Sequence, residues 1–328
     1  MSRALQTAYP ETQSDRDKWI LERRSKAHFV RNRLDPLRPY AFFVEDERAA
    51  SGEIVPIATV VLTNRECPWR CLMCDLWKNT LTETVPIGAI PAQIDYALAQ
   101  LPPARQIKLY NSGNFFDPRA IPIGDYPAIV ERIASFERVI VECHPALIAG
   151  DCFRFRDQLS GRLEVAMGLE TVHPQVLEKL NKRMTTDMYA AAAARLRSHE
   201  IDLRAFILVR PPFMRPTESL HWTKRSLDFA FDCGATAAAL IPTRAGNGAV
   251  EALAATREYS RPSLGTLEAA AAYGIGLGRG RVFADLWDLK PGFECPHCYP
   301  ERIVRLRVMN LQQAIPAQVP CGHCGGSH

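Results

Sequence analysis

Short apolar, β-branched runs alternate along the chain with longer stretches in which apolar residues recur every three or four positions. IATVVLT (57–63), IKLY (107–110), RVIVEC (138–143), RLEVAMGL (162–169), LRAFILV (203–209) and TAAALI (236–241) read as buried strands, and RVFADLW (281–287) offers a last one. Between them, Ile94, Ala97, Leu98 and Leu101 sit at i, i+3, i+4 and i+7 behind Pro91, the spacing of an amphipathic helix. Tyr126, Ile129, Val130 and Ile133 repeat it, and further helices fit around 174–181, 187–199 and 217–233. Strands alternating with helices imply parallel pairing and right-handed crossovers. Six or seven such units over about 230 residues fit an α/β fold of the partial (β/α)6 TIM-like barrel type, with a doubly wound open sheet as the alternative.

The flanks read differently. Residues 1–55 form an N-terminal extension with little strand character, built on a helix from Asp15 to about Leu34 with Ser14 as N-cap and Pro36 past its end. Residues 56–290 make the barrel. Residues 291–328 are a separate segment, two cysteine knuckles around one basic strand, RIVRLRV (302–308). The glycines Gly274, Gly276, Gly278 and Gly280 follow a helix and precede a strand, the reverse of a dinucleotide fingerprint, and read as a flexible turn.

Composition narrows the class. The 328 residues are 47% hydrophobic and 23% charged, ordinary for a globular protein and against disorder. No apolar run approaches the roughly 18 residues that span a bilayer. MSRALQTAYP lacks an apolar leader, so the expectation is a cytoplasmic protein without a membrane partner. The net charge of +4 does not by itself establish a nucleic-acid partner. Between Arg16 and Arg38, eight Lys or Arg stand against three Asp or Glu, which fits either a solvated helix face over the barrel or a grip on RNA.

The ten cysteines carry the chemistry. Cys67, Cys71 and Cys74 form C-x3-C-x2-C directly after the first strand of the barrel, where α/β barrels keep their reactive loops. Iron–sulfur cubanes usually take four thiolates. Three thiolates with no fourth nearby would leave one iron open to a substrate or cofactor atom. The competing reading is structural zinc completed by His144. Cys295, Cys298, Cys321 and Cys324 form two C-x2-C pairs separated by 22 residues, a closed four-thiolate set for zinc resembling a zinc ribbon, or for an auxiliary iron–sulfur cluster. Arg302, Arg305 and Arg307 on the strand between them would add a modest basic footprint. Cys143, Cys152 and Cys233 are isolated and read as small buried hydrophobes.

C-x3-C-x2-C on the loop after the first barrel strand resembles the radical S-adenosylmethionine (radical SAM) superfamily. The resemblance implies a [4Fe–4S] cluster whose open iron takes the cofactor's amino and carboxylate groups, and reduction by a protein such as flavodoxin or ferredoxin. It also implies that Asn111, Ser112, Gly113 and Asn114, where many relatives have two glycines and a glutamate, meet the cofactor's amino group. By the same resemblance Glu170, in GLET (168–171), meets its ribose or methionine end, and Arg210 holds a carboxylate. Ile241 offers backbone contacts to adenine, and Met73 packs against that base in place of an aromatic residue. GLET followed by VLEKLNKRMT (176–185) is similar to radical SAM enzymes that modify tRNA, the Elp3-like and methylthiotransferase groups among them. With YNSGNFFDP (110–118) it is most similar to the archaeosine synthase β-subunit (RaSEA) type, over roughly residues 55–250. That resemblance implies cleavage of a C–N bond in a lysine adduct of a 7-deazaguanine base in tRNA. A free metabolite or peptide is the alternative substrate. Neither the resemblance nor the pattern fixes the oligomeric state.

Overall fold

The computed structural model describes residues 8–26, 30–287, 289, 294–324, 326 and 327. One sheet of eight strands organises the chain, and its spatial order is its chain order. β1 (Ala41–Arg48) runs antiparallel to β2 (Ile54–Val61). β3 (Gln106–Tyr110), β4 (Arg138–Glu142), β5 (Arg162–Glu170), β6 (Asp202–Val209), β7 (Ala237–Pro242) and β8 (Arg281–Ala284) follow, each parallel to the one before. β1 and β8 do not pair, so the sheet is an open half-barrel. Helix α1 (Gln13–Lys26) precedes it. Helices α2 (Ala89–Leu98), α3 (Tyr126–Ile133), α4 (Gly150–Gln158), α5 (Pro174–Lys179), α6 (Thr186–Ser198), α7 (Ser219–Asp232), α8 (Ala249–Ala255) and α9 (Leu264–Gly276) fill the crossovers, and α10 (Tyr299–Gln312) follows β8. Among the described residues no helix is long and apolar enough to cross a membrane.

Alternation along each strand sorts the side chains by face. Val60, Ile107, Leu109, Val139, Val141, Leu163, Val165, Ala205, Ile207, Leu240 and Val282 point to the helices and form the main core. The concave face instead carries a buried layer of charge. Glu47 accepts from Lys108 at 2.6 Å and from Arg204 at 2.6 Å; Glu164 accepts from Arg204 at 2.6 Å, Arg138 at 2.9 Å and Arg281 at 3.0 Å. With Glu45 and Asp202 joining, acids and bases balance. The layer is therefore internally neutral, which offsets the cost of taking its charges out of water. Two residues nearer the carboxyl ends on the same faces come Tyr110, Ile140, Ala166 and Phe206, and beyond them the loops.

The six strands from 57 to 241 form where the pattern places them, and the seventh run forms only over its first four residues. Four local expectations are corrected. The N-terminal extension contains β1, whose AFFVEDER pattern pairs over its whole length with β2. Its charged residues hide the strand, because buried Glu47 faces the ionic layer rather than water or the apolar core, and exposed Glu45 joins that layer through Lys108. Helix α1 starts at Gln13 and ends at Lys26; the Asp15 amide donates to Thr12 Oγ1 at 3.3 Å, so Thr12 rather than Ser14 caps it. RIVRLRV lies in helix α10, where Arg302 and Arg305, three apart, reach one buried acid, Glu268, at 2.5 and 3.2 Å. Those two cations are spent inside the protein, and the basic footprint reduces to exposed Arg307. Gly274 and Gly276 belong to α9, leaving Gly278, at φ 63°, to make the turn.

Candidate metal and cofactor site

The loop that leaves β2 carries Cys67, Cys71 and Cys74 across the carboxyl ends of the strands, and neighbouring elements pin its backbone. Leu72 N–H donates to Leu180 O at 2.9 Å. The Asn247 amide, at the entrance to α8, donates to Leu72 O at 2.6 Å and Cys74 O at 3.1 Å. From α1, Arg24 donates to Cys71 O and Cys74 O, both at 3.4 Å, and pairs with Glu66. The charge of α1 facing the sheet is thus structural: Arg24 is buried, and so is Arg16, which pairs with Glu178 at 3.1 Å. Trp77 is buried under the Arg24 and Arg31 guanidinium groups.

These three cysteines open onto a cleft of about 280 Å³. Met73, Ser112, Gly113, Asn114, Glu170 and Ile241 also stand on its wall, as the sequence leads one to expect. Two expected residues do not. Asn111 is fully buried behind the wall, with both polar atoms of its amide unpartnered. Arg210 turns away: its guanidinium donates to Arg261 O at 2.9 Å and to Ser260 Oγ. Ser112, Glu170 and Arg210, at the ends of β3, β5 and β6, share left-handed backbone, with φ of 51°, 64° and 55°. Non-glycine residues hold that conformation only where the surroundings enforce it.

Several residues that build the wall carry no signal in the sequence. Glu142 is the first. Its carboxylate accepts from Asn111 N–H at 2.7 Å and Gly113 N–H at 3.3 Å, shaping the NSGN turn from below. Burial pushes its pKa up and those backbone donors oppose the shift. Lys182 is the second. It forms a buried ion pair with Glu170, directly over Gly168, where a Cβ would stand 2.1 Å from Lys182 Nζ and 2.3 Å from Glu170 Oε1. Only glycine leaves room for that pair. Asn114 answers a question the motif left open: its amide donates to Cys67 Sγ at 3.2 Å and its carbonyl accepts from His144 N–H at 2.7 Å.

His144 is not disposed as a ligand. Its Nδ1 accepts from Ala146 N–H at 3.1 Å, which leaves Nε2–H to donate to Lys182 O at 3.1 Å. Burial first, then the Lys182 charge, lowers its pKa to about 3, and Trp69 stacks on the ring at 4.2 Å. With both nitrogens spent, a fourth ligand to the three thiols does not come from this residue. Sulfur spacing separates the two cysteine groups further. Cys295, Cys298, Cys321 and Cys324 all lie within 4.8 Å of one another, with Sγ–Sγ distances of 3.8 Å (Cys295–Cys321) and 3.9 Å (Cys298–Cys324). A zinc ion with Zn–S of about 2.3 Å sets tetrahedral edges of about 3.8 Å. That set could bind such a metal ion. Among the described residues, Cys67, Cys71 and Cys74 do not form a group this tight.

Burial raises the pKa of all three loop thiols, Cys67 to about 11; the Lys182 charge opposes this at Cys71 and the Arg24 charge at Cys74. Three thiolates together need more positive charge than Lys182 and Arg24 supply, so the donor set fits a cationic metal centre. In the C-terminal group, Cys298 caps α10, while Cys321 lies in β9 (Pro320–Cys321), which pairs with β10 (Gly326–Ser327). Backbone N–H groups of Cys324 and His323 hold the Cys321 thiol down to about 6. His297 and His323 stack on each other at 3.7 Å, outside the four sulfurs. Of the isolated cysteines, Cys143 and Cys152 are buried as expected and Cys233 is half-exposed.

No family model matches the chain. It is 22% identical over 265 residues to an uncharacterized protein of Methanocaldococcus jannaschii, an alignment covering 76% of this chain and 73% of that protein. It is 23% identical over 186 residues to archaeosine synthase subunit beta of Methanosarcina acetivorans, covering 52% of this chain and 53% of that subunit. The chain therefore spans about half the length of that relative. Its structural neighbours are radical SAM enzymes, among them the methyltransferase TsrM of Kitasatospora setae, at 17% identity and a TM-score of 0.45 over 60% of this chain and 38% of TsrM.

Proposed function

We propose that the chain is a radical SAM enzyme whose substrate is a base in tRNA. One observation carries the reading: three half-buried cysteines, on a loop pinned at the mouth of a half-barrel, line one cleft and receive no fourth protein ligand from His144. Cys67, Cys71 and Cys74 would hold a [4Fe–4S] cluster, leaving one iron for S-adenosylmethionine. When reduced by a partner such as flavodoxin or ferredoxin, that pair supplies the one-electron chemistry that removes a hydrogen atom from an unreactive C–H bond.

This chain's own residues bind, orient and exclude. Ser112 and Gly113, held by Glu142, present the backbone turn against which the cofactor's amino group fits. Glu170, kept in place by Lys182, is the acceptor for its polar end. Met73 and Ile241 give the adenine an apolar wall. Arg210, bound to the 260–261 loop, takes no part in that cradle. The four C-terminal thiols are a closed structural zinc site. The organisation proposed is a barrel over 56–290 with β1 added to its edge, an N-terminal extension before it and the zinc segment from 291, in a cytoplasmic protein.

The archaeosine synthase relative supports a narrower assignment, cleavage of a C–N bond in a 7-deazaguanine adduct. Anaerobic incubation of the reduced, reconstituted protein with S-adenosylmethionine and bulk tRNA tests both levels. Formation of 5′-deoxyadenosine with a new nucleoside mass supports the whole reading. Cofactor cleavage that persists on a free small molecule after nuclease treatment replaces tRNA by a metabolite. No 5′-deoxyadenosine under any condition refutes the radical chemistry.

A further inference from the structure

Each of the three loop sulfurs has something positive set against it, and at Cys67 it is of a different kind. The Lys182 ammonium is the leading influence opposing burial at Cys71, and the Arg24 guanidinium is the leading one at Cys74. At Cys67 the leading opponents are hydrogen bonds, from the Trp69 backbone N–H and from the Asn114 side chain. The second of these runs from Asn114 Nδ2 to Cys67 Sγ at 3.2 Å.

The Asn114 amide is held in one orientation. Its Oδ1 accepts from His144 N–H at 2.7 Å, a backbone donor that only the oxygen end can meet, so Nδ2 faces the sulfur. The main chain around it is pinned as well. Phe115 N–H donates to Glu142 O at 2.9 Å, and Asp117 N–H donates to Asn114 O at 3.2 Å. Asn114 is only 3% exposed, so bulk water does not compete for the bond. A glutamate, which many relatives carry in this motif, has no N–H to offer when ionised and would turn an oxygen towards the sulfur.

We propose that Asn114 is a positioning residue that sets how readily a cluster on Cys67 takes up an electron. An N–H dipole aimed at a ligand sulfur favours the state with more negative charge, which is the reduced one. Where the family resemblance gives this position to the cofactor's amino group, the geometry gives it to a metal ligand. Asn114 acts through Cys67 and not on the substrate. The inference rests on the reading of Cys67, Cys71 and Cys74 as cluster ligands, and it adds to that reading a residue that makes reduction easier.

The reconstituted full chain, without S-adenosylmethionine, provides the test. EPR at a series of fixed potentials reads the midpoint potential of the cluster. Asn114→Leu keeps the volume and removes the donor. Its reduction equilibrium is expected to fall about tenfold, a shift of about 59 mV to lower potential for one electron. The sign separates tuning from a loosened site, because water admitted to the sulfurs also favours the reduced state and would raise the potential. An unmoved or raised potential overturns the proposal. A second measurement does not depend on the variant. In parent protein carrying asparagine labelled with nitrogen-15 in its side chain, the electron spin of the reduced cluster is expected to couple to a labelled nitrogen. Absence of that coupling overturns the proposal even if Asn114→Leu takes up no iron, and so does its survival in an Asn114→Leu protein that holds a cluster. Iron in the parent separates the two levels. A cluster that Cys71→Ala removes, found with no coupling or no shift, sinks only this inference; no such cluster sinks the reading of the cleft with it.

Discussion

The Lys182–Glu170 pair lends itself to a double-mutant cycle. Both side chains are nearly buried, at 11% and 8% exposure, and burial alone would lower the lysine pKa were Glu170 not beside it. At an effective dielectric of about 20 and roughly 3 Å, two unit charges attract by about 5 kcal/mol, most of it offset by desolvation. Removing one partner strands the other. Lys182→Met is therefore expected to cost about 3 kcal/mol, by leaving Glu170 buried and uncompensated. Glu170→Gln is expected to cost about 2 kcal/mol, since Lys182 retains the attraction of the neighbouring Cys71 sulfur. In the double variant Lys182→Met/Glu170→Gln no charge is left over, so its loss is expected to stay at about 1.5 kcal/mol, a coupling of about 3.5 kcal/mol. Chemical denaturation of all four proteins under anaerobic conditions gives the numbers, with the iron–sulfur absorbance recorded on each. If the double variant loses the sum of the two single losses, the residues do not act as a pair and the account of Gly168 falls with them.

Four further outcomes are expected. Gly168→Ala should leave the melting temperature within a few degrees but abolish 5′-deoxyadenosine formation, because only the flexible ends of Lys182 and Glu170 have to move; unaltered turnover would show that their position does not matter. Cys71→Ala should remove the iron absorbance, and retention of a full cluster would refute the ligand assignment. Cys321→Ala should release zinc and lower thermal stability while the iron content holds; loss of iron with zinc unchanged would identify the C-terminal group as a second cluster. Burial alone would raise the pKa of Glu164, but Arg204, Arg281 and Arg138 hold it at about 2, down from 4.5. Its contribution, on the order of 3 kcal/mol, is thus complete above pH 4.5 and lost as pH falls towards 2, so melting temperature should drop through that window in the parent and more weakly in Glu164→Gln.

Sequence and structure agree where one force dominates. Strands such as IATVVLT and LRAFILV are legible because their outward faces all meet the same apolar core. β1 escapes because its inward acids are matched by Lys108 and Arg204, more than 60 and 150 residues away. RIVRLRV reads as a strand by its branched residues, yet Arg302 and Arg305 meet Glu268 only when three residues make nearly a turn. At the site, the cysteine spacing is local and therefore visible. Glu142 and Lys182 act through tertiary contacts, on the NSGN turn and on Glu170, and no spacing announces them. Arg210 occupies a place the family resemblance made attractive, and the Ser260 hydroxyl and Arg261 carbonyl claim it first.

Helix α10 has one more role. Its Asn310 amide exchanges hydrogen bonds with Ala284, accepting from the N–H at 2.8 Å and donating to the O at 2.9 Å, and Gln313 does the same with Val282 at 2.7 and 2.9 Å. Two carboxamides thus imitate a ninth strand along the last edge of the sheet. An edge left bare is an invitation to pair with another molecule. A version of the protein cut before Tyr299 would expose that ladder, and its behaviour would report self-association before it reported anything about catalysis.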